Sequence, residues 1–180
     1  MTPLIRPARP DELEPLLALQ QRSMRELGAE HYARDVLEAA LARMGTMDPR
    51  LIGDGTYLVA ELDGRLAGGA GWTLRAPTFA PLLAEALPPL HGRPAVVRSV
   101  YVEPALARRG IARHLMAAVE ARLLASGAAR AELLAMTCGV PFYRALGYDE
   151  VSDHALLLAG RMEFVVRRMA RPLRALDVAA

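Results

Sequence analysis

Residues 95–127, AVVRSVYVEPALARRGIARHLMAAVEARLLASG, admit few folds. Residues 96–102 are rich in β-branched and aromatic side chains and read as a buried strand. Pro104 has no N–H to give to a ladder and stops it. Ile111, Leu115, Val119 and Leu123 then recur at helical spacing, with Met116 beside them, until Ser126-Gly127 offers a residue suited to positive φ. Strand, short turn and long amphipathic helix follow without a break, so the turn sits where a strand end meets a helix start.

That turn carries Arg108, Arg109, Gly110, Ile111, Ala112 and Arg113. The first amides of a helix have no acceptor within it, and the helix dipole is positive there. Gly110 and Ala112 are small enough for a ligand to approach the backbone, and the three arginines are permanent cations able to grip oxyanions bidentately. The predicted product is a pyrophosphate cradle. Taken alone, small residues at a helix start also fit a tight turn with solvated arginines.

A second motif narrows the choice. About thirty residues on, behind another predicted strand at 130–136, residues 142–148 read Phe-Tyr-x-x-x-Gly-Tyr. The pair of motifs, in this order and at this distance, resembles the GNAT family of acetyl-CoA-dependent N-acetyltransferases. The resemblance runs from Ile5 onward over nearly the whole chain, and its most specific parts are residues 100–113 and 140–148. It implies an α+β fold with a central mixed, mostly antiparallel sheet flanked by helices, and one parallel pair around the central helix. It also implies acetyl-CoA as cosubstrate, held by the main chains of Val100 and Val102 and by the amides of residues 108–113. Two positions depart from the family pattern: Ala107 stands where glutamine or arginine is usual, and Met136 where asparagine is frequent.

The reaction so implied is attack of an amine on a thioester, which needs an oxyanion stabilised and a leaving thiolate protonated. Tyr143 occupies the family's tyrosine position, and a phenol with an unperturbed pKa near ~10 suits proton donation to a thiolate. The same ring also fits as an aromatic packing beside Phe142 and Tyr148. Glu103, at the end of the cofactor strand, is the nearest carboxylate to the expected reaction centre: a general base, directly or through water, or a solvated strand-end acid. Cys138 has no base identifiable beside it, and direct attack needs no covalent enzyme intermediate, so it reads as a small packed thiol. No metal is required. The expected acceptor is a primary amine of a small molecule or peptide. A non-catalytic acyl-CoA-binding sensor or interaction module is the alternative.

The rest of the chain fits one domain over residues 1–180. A short strand is predicted at residues 4–7. Asp11 with Glu14 three residues later looks like a helix cap. The helix behind it shows an apolar stripe of Leu13, Leu16, Leu17, Gln20, Met24 and Leu27, ended by Gly28. A second helix presents Val36, Leu37, Ala40, Leu41 and Met44. In the resembled family this pair walls the acceptor site, and His31 and Tyr32 at its joint are either a satisfied, partly exposed pair or acceptor contacts. Residues 56–62 and 65–75 flank Asp63-Gly64, the strongest hairpin signal in the chain. Gly68, Gly69 and Gly71 mark a bulge or a close backbone approach in the return strand. Trp72 is expected in the core. Residues 76–94 carry five prolines and read as a long connection, a candidate lid or dimer contact, with His91 facing solvent. Residues 148–158 and 162–169 form a terminal hairpin around Ala159-Gly160, and 171–180 show no pattern.

Composition removes other classes. No apolar run approaches the ~20 residues of a membrane helix, and the first residues lack the apolar segment of a secretory signal. The single cysteine cannot make an internal disulfide, which fits a reducing cytoplasm. All 22 basic residues are arginine, scattered among 20 acids to a net charge of +2, with no basic stripe to track a nucleic acid. A homodimer is compatible with the terminal hairpin and the proline-rich connection.

Overall fold

The computed structural model describes residues 2–74 and 95–174. The proline-rich connection, His91 and the last six residues lie outside the described residues.

Asp63 and Gly64 take φ of 51° and 72°, the left-handed pair that a two-residue hairpin turn requires. They join β2 (Tyr57–Leu62) to β3 (Arg65–Thr73). The sheet has seven strands: β1 (Leu4–Pro7), β2, β3, β4 (Ala95–Val102), β5 (Arg130–Met136), β7 (Glu163–Pro172) and β6 (Asp149–Leu157), side by side in that order. Every pairing is antiparallel except β4 with β5. The mixed, mostly antiparallel sheet expected from the sequence is therefore present. β7 reaches Pro172 and pairs Arg171 with Ala131, so the strand takes in two residues that the sequence pattern left in the tail.

Helices cover both faces. α4 (Ile111–Ala125) buries Ile111, Leu115, Met116, Val119 and Leu123 against Leu58, Ala60 and Ala70. α5 (Val140–Ala145) joins the same core through Val140 and Tyr143. α1 (Leu13–Gly28) and α2 (Arg34–Met44) take the opposite face, where Met24, Leu37 and Ala40 meet Leu156, Phe164 and Val166. A third cluster joins Leu16 to Tyr57, Val59 and Leu51 of the short α3 (Arg50–Gly53). Trp72 lies in the core, as its sequence context suggested.

Two details of α1 differ from expectation. Leu27 is 37% exposed, and Leu19 takes a core place the stripe did not assign. The cap is also one turn earlier: residues 10–12 form a 3-10 turn, and the Arg9 amide donates to Glu12 Oε2 at 2.8 Å. Glu12 takes the place expected for Glu14, and its side chain also reaches Arg6 at 2.6 Å and 2.9 Å, while Arg6 holds Glu61. Arg6 thereby holds Glu12 below the ordinary carboxylate range.

The glycines of β3 make room for one ring. A methyl group on Gly69 would lie 2.6 Å from Tyr57 Cε1, and one on Gly71 2.7 Å from Tyr57 Cδ2. Tyr57, fully buried, crosses above them and donates its hydroxyl to the Ser99 carbonyl at 2.9 Å. Gln20 Nε2 donates to the same hydroxyl at 2.7 Å, and Ser99 Oγ donates to the Thr46 carbonyl at 2.7 Å. Ser99 has φ 51°, and two residues of β4 oppose Ala70 alone between the pairs Gly69↔Tyr101 and Gly71↔Arg98. β4 is thus bulged at Ser99, and the bulge is bonded in place. Tyr57→Phe removes the donor and leaves a buried carbonyl short of a partner. It is expected to cost about 1–3 kcal/mol in urea unfolding.

Candidate active site

The bulge turns β4 away from its parallel neighbour. β4 and β5 pair only at Ala95↔Ala131 and Val96↔Glu132, then run on to Val102 and Met136 without further pairing. A wedge opens between them. Val100 and Val102 lie on the stretch of β4 that β5 leaves unpaired, half-buried, with side chains packed toward the α4 core. Tyr101 points to the opposite face, among residues of α1, α2 and β7.

Beyond Val102 the chain makes a 3-10 turn at Pro104–Leu106 and enters α4. Arg108 has φ 65° and Gly110 has φ 81°. Left-handed residues beside ordinary ones curl successive amides into a concavity that suits an anion. Arg108 is not glycine, and holding it there costs about 1–2 kcal/mol, strain of the kind concentrated at ligand sites. The amides of residues 108–113 have no backbone acceptor among the described residues, and no side chain caps α4. Arg108, Arg109, Gly110 and Arg113 are exposed, Ala112 is half-buried, and Ile111 is anchored in the core. The space where a Cβ of Gly110 would sit is open. His114 leaves the turn accessible by folding back, its Nδ1 3.0 Å from the Gly110 carbonyl. The donors, the added cations and the open approach suit a diphosphate.

Tyr143 reaches the wedge from α5. Its ring lies against Phe142 at 5.1 Å and edge-on to Tyr148 at 5.8 Å, and it is 8% exposed. The ring is packed between its aromatic neighbours, as the packing reading of this residue expected. Burial pushes the phenol above the ordinary tyrosine range, and the nearby Tyr101 and Cys138 push it the same way. No hydrogen bond to its hydroxyl is found among the described residues. Tyr148 fastens α5 to α4: its hydroxyl donates to Glu120 Oε1 at 2.9 Å, and Arg171 Nη1 donates to Glu120 Oε2 at 3.3 Å.

Glu103 directly follows β4, and its Oε2 is paired with Arg22 of α1 at 2.7 Å. Its Oε1 has no partner among the described residues. Cys138 is half-buried in the turn before α5, and burial raises its thiol pKa. Tyr32 at the helix joint is engaged by the protein itself, while His31 is exposed. Two residues were missed by the sequence pattern. Tyr101 lines the wedge, and Tyr57 supports it. The glycines opposite Tyr57 were the available signal for the second.

A sequence model of the acetyltransferase (GNAT) family matches residues 13–148. The chain belongs to the GNAT acetyltransferase family. It is similar in structure to a GCN5-related N-acetyltransferase from Rhodopseudomonas palustris, with a TM-score of 0.71 at 21% identity over 96% of this chain and 97% of that one. The PaiA N-acetyltransferase from Thermoplasma acidophilum, solved in complex with coenzyme A, aligns with a TM-score of 0.67 at 16% identity, covering 96% and 99%. A GCN5-related N-acetyltransferase from Ralstonia eutropha JMP134 is 26% identical over 83% of this chain and 94% of that one, with a TM-score of 0.60. No curated protein matches the sequence. As a GNAT-type acetyltransferase the chain is an enzyme of acyl transfer. No helix among the described residues is long and apolar enough to cross a membrane.

Gly110→Ala tests the cradle. The substitution adds left-handed strain of about 1 kcal/mol and puts a methyl into the open approach. Coenzyme A affinity, measured by calorimetry, is expected to fall at least about tenfold.

Proposed function

We propose that the enzyme transfers an acetyl group from acetyl-CoA to a primary amine of a small molecule or a peptide by direct attack. What supports this reading is three features: a stretch of β4 that β5 leaves unpaired, amides at the start of α4 with no backbone acceptor among the described residues, and a buried Tyr143 ring whose hydroxyl has no hydrogen bond among the described residues.

Acetyl-CoA supplies the thioester carbonyl and the thiolate leaving group. The amides of residues 108–113, with Arg108, Arg109 and Arg113, bind its diphosphate. The main chain at Val100 and Val102, unpaired on its β5 side, orients its arm and donates toward the carbonyl oxygen. As the amine nitrogen bonds to the acyl carbon and the carbon–sulfur bond breaks, the Tyr143 hydroxyl gives its proton to the sulfur. The amine loses its own proton to water held by Glu103, through the oxygen that Arg22 leaves free. The ion pair keeps Glu103 turned toward α1, the face from which Tyr101 and the helix joint approach the wedge.

Thiol release from acetyl-CoA with a panel of small and peptide amines, alongside calorimetry with coenzyme A, tests the reading. Coenzyme A binding without release on any amine would favour an acyl-CoA sensor instead. Tyr143→Phe is expected to lower kcat about a hundredfold while leaving coenzyme A affinity within twofold. Burial holds the Tyr143 proton beyond the ordinary range, so wild-type kcat should not fall through loss of this proton as pH approaches about 10. Glu103→Gln is expected to lower kcat/KM about a hundredfold while leaving coenzyme A affinity within twofold.

A further inference from the structure

Tyr32 lies between α1 and α2, and its contacts point across the sheet. Its ring stacks on Phe164 of β7, with centroids 4.7 Å apart and planes 25° from parallel. Its hydroxyl accepts from the Thr137 amide at 2.7 Å and donates to the Val165 carbonyl at 2.7 Å, with Thr137 Oγ1 at 3.1 Å. One oxygen therefore ties the helix joint to the end of β5 and to β7. With these bonds made it has little left for an acceptor, which separates its role from substrate contact.

The tied residue is the first of the 3-10 turn Thr137–Gly139, which carries the chain from β5 into α5. The last residue of the turn lies under Tyr143: a methyl on Gly139 would sit 3.2 Å from Tyr143 Cε2. The turn is the floor on which the Tyr143 ring rests, and Tyr32 holds that floor from the opposite face of the sheet. We propose that Tyr32 is a positioning residue for acyl transfer, its hydroxyl fixing the Thr137–Gly139 turn and the turn fixing the Tyr143 ring. The inference rests on the reading of Tyr143 as the proton donor. Burial keeps the Tyr32 phenol protonated beyond the usual range, so the donated bond to Val165 persists through neutral pH.

Tyr32→Phe keeps the ring stack and removes only the oxygen. The test compares it with Tyr143→Phe and with the double variant. The readout is kcat for thiol release from acetyl-CoA, to the acceptor the amine panel selects or, failing one, to water. The expected result is a loss of about tenfold in Tyr32→Phe with coenzyme A affinity unchanged, and no additional loss in the Tyr143→Phe background. Wild-type kcat in Tyr32→Phe, or the same loss in both backgrounds, overturns the proposal and leaves the proton-donor reading standing. Wild-type kcat in Tyr143→Phe overturns both. Amide hydrogen exchange gives a readout that needs no acceptor: Tyr32→Phe should speed exchange at residues 137–146 and leave 111–125 unchanged. Unaltered exchange at 137–146 would also overturn the proposal.

Discussion

The hydrogen bond from Tyr57 to the Ser99 carbonyl holds the feature on which the site depends. A bulge in the middle of a sheet gives up ladder bonds and needs local replacements. Tyr57 supplies one to the carbonyl, Thr46 takes the Ser99 hydroxyl, and Gln20 completes the phenol. Gly69 and Gly71 of β3 are the steric condition for this arrangement, because any side chain at either would occupy the ring's place. Once β4 turns at Ser99 it cannot follow β5, and the wedge opens as a geometric consequence rather than by excision of a loop.

The two sides of the wedge are built differently. The α4 side presents backbone donors and arginines without an acid in the first helical turn, which favours an anion there. The α5 side presents aromatic rings in a dry setting, where a phenol keeps its proton. Glu120, buried on α4, joins them by holding Tyr148 and Arg171 at once. One carboxylate thus ties α4 to the chain that follows α5 and to β7.

Much of this was legible from residues alone. The strand, turn and helix over 95–127 and the Phe-Tyr-x-x-x-Gly-Tyr segment fall where their periodicity and punctuation put them, with Gly127 and Gly147 both at positive φ. The Asp63-Gly64 turn was equally plain. Its consequence for Tyr57 was not, because unbroken pairing from the turn would set Tyr57 opposite Ala70. A second bulge, between Ala60 and Glu61, moves it to Gly71. A one-residue register shift of this kind leaves no mark in hydrophobic alternation. The Tyr32 contacts and the Glu103–Arg22 pair join residues 105 and 81 positions apart, and sequence spacing carries no information about such meetings. The early cap at Glu12 escaped for a similar reason: its reward comes from Arg6 and β2, not from the helix it precedes.

The order of strands in the sheet differs from their order in the chain. β7 is inserted between β5 and β6, although β6 precedes it. Until residues 163–172 have emerged, the edge of β5 away from β4 is unpaired along its whole length, and β5 is held by its few bonds to β4 and by the packing of Ala131, Leu133 and Ala135 in the α4 core. During synthesis the chain therefore exposes an apolar ribbon, from Leu133 to Met136, that its own final strand must cover. Vectorial folding from the amino end cannot finish the molecule, and closure is a late, long-range event.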